Sequence, residues 1–573
     1  MVLGRTVWQL APPAPAALFE RFSTLDPLVV QLLYNRGLTT HEVVDTFLAG
    51  TAVAGSPLDL VGMGTAVSLI RQQLAAGENI VVYGDYDVDG ITATAVLMQT
   101  LESLGGHVRP YIPDREDEGY GLNCDAIRDF ADAGVGLLIT VDCGIRSLEE
   151  VALARRLGMA VVITDHHHLG EALPSANAVL NPRRPDSDYP FKDLAGVGVA
   201  FKLAEALLQV NERVTLPTTQ RKLASAELLD LVALGTVADM VPLLGENHFL
   251  VQQGLLALNA PRRPGVNALM EVLHIEPGSV DATTISFGLA PRLNAAGRID
   301  DPLKSLQLLL APDMESALPL ARDLQQINQR RRKSTAEVQE RVRALFLEDA
   351  DELPLLFAVA EDFPAGIVGL AAGRLSDEFY RPAVVVRRGL EFSKGSARSI
   401  PEFHITEALD KTADLLVRHG GHAAAAGFTV RTTNLPALRA RLTALAAEAL
   451  RDISLNPSLR VDVEVPLSML SWKTLDVLAQ LAPFGYGNPQ PTFVSRGVRV
   501  QNARAVGSEG RHLKLYLIDR EGQSWDAIAF RQGDWIGRLP SLIDLVYYLE
   551  RNEWKGRVSL QLNVRDIHPA GAD

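Results

Sequence analysis

Cysteine is nearly missing from this chain: Cys124 and Cys143 are the two in 573 residues. Two cannot make a disulfide framework at that size, so a reducing compartment is expected. Long apolar runs are missing too. None approaches the roughly 18 residues that a membrane span needs. The opening MVLGRTVWQLAPPAPAAL has one arginine and then prolines where a secretory signal needs an apolar stretch. No membrane association and a cytoplasmic location are therefore expected. Excess positive charge is absent as well, the formal net charge being −14. That argues against a general nucleic-acid coat. It leaves open a nucleic-acid enzyme, in which metal-binding carboxylates add negative charge and a local basic groove binds the polymer. There is no internal repeat and no long low-complexity segment.

What is present is a soluble, globular composition, 47% hydrophobic and 22% charged, in a chain long enough for three or four domains. Residues 1–50 mix prolines with short helical patterns and read as an N-terminal extension. From about 65, strands alternate with helices: ENIVVYGD, then DGITATAVLMQTLESLGG, then VGLLITVDCG, SLEEVALARRLG and MAVVITDHHH. Continuous Val, Ile and Leu strands separated by helices predict a doubly wound α/β domain on a parallel sheet, placed at 51–300. A polar helical stretch over 301–348 reads as a connector between domains. A second α/β unit follows at 349–455. From 456 to 573 short strands separated by turns predict a small Greek-key barrel.

The chemistry gathers at the strand ends. GDYDVDG places Asp85, Asp87 and Asp89 just past the first strand, VDCG places Asp142 past another, and DHH places Asp165, His166 and His167 past a third. Ligands in open α/β sheets bind at that edge. So many acids cannot all stay ionised together without a cation. Carboxylates with one or two imidazoles suit Mn²⁺ or Mg²⁺ better than a structural zinc, and one carboxylate shared between two ions gives a clamp for phosphoryl displacement. Singly, each motif has an ordinary explanation: a calcium-type loop, a helix cap, a surface turn. It is their order on successive strand ends that carries the signal.

GDYDVDG, TVDCG, TDHH and GTVADMVPL together resemble the four ordered motifs of the DHH phosphoesterase superfamily, and within it the single-strand-specific 5′→3′ DNA exonucleases. The resemblance extends over about 50–570. It implies two divalent cations, Mn²⁺ or Mg²⁺, with Asp85, Asp87, Asp89, Asp142, His166 and Asp239 as ligands. It also implies His167 as an acid/base group near the water and Asp165 as the carboxylate that orients a histidine. How the three clustered aspartates divide between the ions stays open. In the second half, FPAGIVGLAAGRL, KGSARSI and GGHAAAAGFTV read either as close helix packing or as phosphate-cradling turns. The resemblance makes this a DHH-associated substrate domain, with Arg374, Ser396, Arg398 and His422 as phosphate-binding candidates. FGLAPRLNAAGRID adds Arg292, Asn294 and Arg298. NQRRRKS is a basic cluster that suits either a solvated helix face or a strand contact. The barrel becomes an oligonucleotide-binding (OB) fold, in which Phe484, Tyr486, Arg511, His512 and Lys514 are either core or binding residues.

The expected activity is hydrolysis of single-stranded DNA from the 5′ end, releasing 5′-mononucleotides, in recombination and repair. Single-stranded DNA is the expected partner, and the resemblance adds single-strand-binding protein and a RecQ-type helicase; a monomer is expected. Two alternatives are a phosphodiesterase of short oligonucleotides or cyclic dinucleotides, and an inactive DNA-binding scaffold of a replication complex.

Overall fold

Alternation along the apolar strands builds a five-stranded parallel sheet in the spatial order His107–Tyr111, Asn79–Tyr83, Val135–Val141, Ala160–Thr164, Ala178–Leu180. This computed structural model describes residues 6–50, 55–115, 118–260, 263–346, 353–554 and 556–571. Ile80, Val82, Ile139 and Val162 pack on one face against helices Met63–Ala76, Val88–Ser103 and Gly196–Arg213. Val81, Leu138, Val161 and Ile163 pack on the other against Cys124–Asp132 and Leu148–Arg156. Burial on both faces is why these strands read as continuous apolar runs. The first of these strands in chain order, Asn79–Tyr83, lies between the second and the third. Connections therefore diverge between Asn79–Tyr83 and Val135–Val141, the place where a crevice opens at the carboxyl ends.

Helix Met314–Phe346 runs from this domain to the next. Its first half buries Ala317, Ala321, Leu324 and Ile327 in the core of the first α/β domain. Its second half buries Val338, Val342 and Phe346 against the following α/β unit. In that unit the sheet order is Leu416–His422, Ala425–Arg431, Phe392–Arg398, Ala383–Arg387, Leu356–Ala360, and the last two strands pair in parallel while the other pairings are antiparallel.

Further on, Phe493–Val506, His512–Ile518, Ser524–Ala529, Arg557–Pro569 and Leu542–Trp554 follow one another around a barrel. It closes where the first pairs with the last, Phe493 opposite Tyr547. Leu513, Leu515 and Leu517 fill the interior, so His512, Lys514 and Tyr516 face out. The N-terminal extension joins this end of the molecule. Strand Val7–Leu10 pairs in parallel with Ser458–Val461, and Leu32, Leu33 and Phe47 share a core with the barrel. Among the described residues no helix is long and apolar enough to cross a membrane.

Candidate active site

Asp85 lies two residues past strand Asn79–Tyr83, Asp142 directly follows Val135–Val141, and Asp165 directly follows Ala160–Thr164. Asp142 sits at φ 59°, a left-handed conformation that costs a non-glycine residue about 1–3 kcal/mol and marks functional turns. Asp87 caps helix Val88–Ser103, accepting the Asp89 and Gly90 amides at 3.0 and 3.1 Å. Asp89 is gripped from the opposite side: its two oxygens accept the Gly196 and Val197 amides at 2.6 and 2.7 Å. These are the first residues of helix Gly196–Arg213, so the positive end of its dipole faces a carboxylate. A Cβ at residue 196 would stand 2.6 Å from Asp142 Oδ1, and glycine alone fits there.

Two further elements complete the cluster. Asp239 ends helix Leu229–Ala238. His166 Nε2 lies 3.1 Å from Asp142, 3.7 Å from Asp239 and 3.9 Å from Asp89. Three sets of side chains bring their ligand atoms within 4.8 Å of one another: Asp85, Asp87 and Asp142; Asp89, His166 and Asp239; Asp142, His166 and His167. Asp85 Oδ1, Asp142 Oδ1 and His166 Nε2 are buried with no hydrogen-bond partner. Buried polar atoms left unpaired are costly, and these three converge on one place. An all-oxygen-and-imidazole set with orphaned atoms fits divalent cations of the Mn²⁺ or Mg²⁺ type.

The electrostatics agree. Burial first, and then the neighbouring carboxylates, push Asp85, Asp142 and Asp239 well above the ordinary aspartate range, and bring Asp89 up to about 7. Burial drives His166 down to about 3, leaving a neutral imidazole with a free lone pair. The raised acids have a consequence for stability. Without metal the fold holds protons that the unfolded chain has released, so stability falls as pH rises from about 4 through about 7. Cation binding requires the ionised form and removes that loss. The rise in melting temperature on adding MnCl₂ is expected to be several degrees larger near pH 8 than near pH 5.5. An equal rise at both would contradict it.

Asp165 faces inward. Its oxygens accept the amides of Ile145 (2.9 Å), His166 (2.7 Å) and His167 (3.0 Å) and contact His167 Nδ1 at 2.8 Å. Burial alone would lower His167. The bonded Asp165 outweighs it and holds the ring above its ordinary range. The Tyr120 hydroxyl lies 3.2 Å from His167 Nδ1 and donates to the Asp142 carbonyl at 3.2 Å. Asp165→Asn is expected to slow turnover by about 10–100-fold, the usual effect of removing a group that orients a ligand or acid/base residue. Steady-state rates with wild-type-like metal binding would check it.

The predicted substrate residues divide into groups. Arg298 is largely buried near Asp87, Arg115, Arg331 and Arg398, and its Nε has no acceptor. Arg398 donates to Ser396 Oγ at 3.1 Å. Asn294 turns back to accept the Val88 amide at 3.1 Å and so fixes the aspartate helix. Arg292 and Arg374 lie along the connecting helix instead, bonded to Gln325 (3.0 Å) and Gln339 (3.3 Å). His422 stands across the interdomain cleft with its ring 6.2 Å from that of His168. The arginines lie near one another in series: Arg298 near Arg331, Arg331 near Arg332, Arg292 and Arg374, and Arg374 near Arg332 and Arg531 of the barrel, with burial first and then the neighbouring charges lowering Arg298, Arg331 and Arg374. Of the barrel residues, Phe484 packs into the core, Tyr486 is exposed, Arg511 pairs with Glu509, and Lys514 lies 3.7 Å from Asp526. His512 Nδ1 accepts the Arg531 amide, with exposed Phe530 5.3 Å from its ring.

Sequence reasoning missed Tyr120, Arg115 stacked 4.6 Å over Tyr86, and the two amides that hold Asp89. The first two lie in an irregular loop and the others are backbone groups, so none leaves a periodic or compositional signal.

A parallel α/β domain whose strand ends converge on carboxylates and a neutral histidine, joined to an arginine-rich second unit, defines a DHH-type phosphoesterase. The chain matches the DHH family N-terminal domain over 79–236, the DHHA1 domain over 352–448 and the RecJ OB domain over 461–566. It is 39% identical over 577 residues to the single-stranded-DNA-specific exonuclease RecJ of Dickeya dadantii, covering 97% of this chain and 98% of that one. It is 38% identical over 575 residues to the Bacillus subtilis protein of the same name, covering 99% and 71%. A crystal structure of Thermus thermophilus RecJ in complex with Mn²⁺ superposes with a TM-score of 0.83 at 32% identity, covering 99% and 80%. The same protein with Mg²⁺ gives 0.78 at 30%, covering 99% and 79%. The chain belongs to the RecJ family.

Proposed function

We propose that the protein is a metal-dependent exonuclease that hydrolyses single-stranded DNA from its 5′ end, releases 5′-mononucleotides, and acts in recombination and repair in the cytoplasm. The observation that carries this reading is the filled ligand set, with three buried orphaned atoms, at the head of an arginine chain that runs to an OB barrel. Asp85, Asp87 and Asp142 would hold one divalent cation and Asp89, His166 and Asp239 the other, Asp142 lying beside both sets. The cations would supply Lewis-acid polarisation of the phosphate and acidify the attacking water.

The chain's own residues do the rest. His167, set by Asp165, takes the proton from the water as its oxygen bonds to phosphorus. The bond from phosphorus to the 3′ oxygen of the terminal nucleotide breaks, and that oxygen leaves with the electron pair and takes a proton. Arg298 and Arg398, with Ser396, bind a non-reacting phosphate through guanidinium forks. His422 closes the same cleft from the second unit. Tyr120 keeps His167 and the Asp142 turn together.

The strand would continue along Arg331, Arg292 and Arg374 to the barrel, where Phe530 offers an exposed ring beside Arg531. Base stacking on an aromatic is worth roughly 1–3 kcal/mol. Phe530→Ala is therefore expected to raise KM for a strand of some twenty nucleotides by roughly five- to a hundredfold and to leave dinucleotide cleavage unchanged. Equal KM values on the long strand would remove Phe530 from the path. Digestion of a long 5′-phosphorylated single strand against dinucleotides tests the function as a whole; cleavage of the dinucleotides alone would replace it with a short-oligonucleotide phosphodiesterase. Single-strand-binding protein and a RecQ-type helicase are the partners to test by pull-down, with the enzyme itself a monomer.

A further inference from the structure

The segment LNPRRPDSDYP at 180–190 has no part in the mechanism above, yet it starts beside the candidate centre. Strand Ala178–Leu180 delivers it to the same sheet edge as the aspartates. Asn181 ties it there: its amide nitrogen donates to the His167 carbonyl at 3.0 Å, and its oxygen accepts the Arg183 backbone amide at 2.8 Å. Arg183 is thus fastened to the backbone of the acid/base histidine. One terminal nitrogen of its guanidinium pairs with Asp193 at 2.7 Å, and its Nε is buried with no acceptor. The side chain keeps about a quarter of its surface open.

Its position sets it apart from the other arginines. Arg115 and Arg298 belong to the neighbourhood of Asp85 and Asp87. Arg183 stands elsewhere: its loop is tied to the His167 carbonyl through Asn181, and its partner Asp193 lies shortly before Gly196, whose amide holds Asp89. A lone cation held against metal-binding residues would oppose cation binding if that were all it did. A guanidinium aimed by Asp193 and with about a quarter of its side-chain surface open, beside a centre that handles a phosphodiester, has a use: its accessible end matches a phosphate oxygen.

We propose that Arg183 is a catalytic residue that binds a non-bridging oxygen of the reacting phosphate beside His167, while Arg298 and Arg398 hold a neighbouring phosphate. This rests on the nuclease reading above. Arg183 then meets the charge gathered on the phosphate oxygens as the water attacks, and Asp193 serves to aim the fork. Stabilising developing charge with a preorganised donor typically contributes about 10²–10³ in turnover.

The test compares Arg183→Gln, Arg183→Lys and Asp193→Asn with the wild type on a 5′-labelled single strand over a range of concentrations up to saturation, with the Mn²⁺-induced shift in melting temperature measured on each. Arg183→Gln is expected to lose at least about tenfold in kcat with little change in KM, while its Mn²⁺ shift stays equal to or exceeds that of the wild type. Arg183→Lys should recover part of the rate, and Asp193→Asn, which keeps an acceptor for the fork, should lose less than Arg183→Gln with its Mn²⁺ shift unreduced. Arg183→Gln turning over like the wild type would overturn the proposal. So would Arg183→Gln and Asp193→Asn being equally slow with reduced Mn²⁺ shifts, which would make the arginine a loop anchor. An inactive wild type would instead overturn the nuclease reading, a separate outcome.

Discussion

Asp142→Asn is expected to lower nuclease turnover at least about a thousandfold, equivalent to about 4 kcal/mol of barrier. Binding of a single strand in EDTA should remain near wild type. The reason lies in where Asp142 sits. It contributes to two of the three ligand sets and approaches His166 to 3.1 Å, and its Oδ1 is buried without a partner. Removing one charge there is expected to weaken the site it shares with Asp85 and Asp87 directly and, through His166, the neighbouring one. Asparagine keeps the volume and tolerates the left-handed φ of 59° better than most residues, so the turn should survive. On the proposed function the strand contacts fall to arginines outside the cluster. A variant that lost binding and cleavage equally would show that the turn, and not the charge, had been broken. Full activity would remove Asp142 from the site.

His167→Ala is expected to cost about 10²–10⁴-fold in turnover, the contribution of a positioned acid/base group. The pH dependence identifies the cause. Asp165 holds the His167 ring above its ordinary range, so the neutral form that can accept a proton is gained as pH rises through that raised value. The wild type should therefore gain activity on an acid limb that His167→Ala lacks. The variant should still bind Mn²⁺, because His166 and the carboxylates are untouched. Retention of the same limb by His167→Ala would assign the titration to another group.

The carboxylates at the strand ends were legible because a buried parallel strand announces itself, and the residue after its last apolar position must lie at the ligand edge. Asp85, Asp142 and Asp165 could be placed by that rule alone. Asp239 could not. It ends an apolar helix far along the chain from the DHH motif, and only the family resemblance brought it to the site. Strands His107–Tyr111 and Ala178–Leu180 carried little signal: the first includes Arg109 and Pro110 at an exposed sheet edge, and the second is three residues long. The N-terminal extension was opaque for another reason. Its apolar faces are completed by a barrel at the opposite end of the sequence, and no local pattern records a partner so distant. Arg292 and Arg374 were grouped with the phosphate-binding residues on sequence, and the fold sets them along the connecting helix, bonded to Gln325 and Gln339. Arg115, Tyr120 and Arg183 stand on loops whose course depends on tertiary contacts.

The most direct test of the whole account is digestion of end-labelled single-stranded and duplex DNA with Mn²⁺, with Mg²⁺ and with EDTA. A 3′ label should stay on progressively shorter strands while a 5′ label appears at once as mononucleotide, with either cation, on the single strand and not on the duplex, and with no cleavage in EDTA. Cleavage in EDTA, equal attack on duplex, or a 5′ label retained on shortening fragments would contradict it.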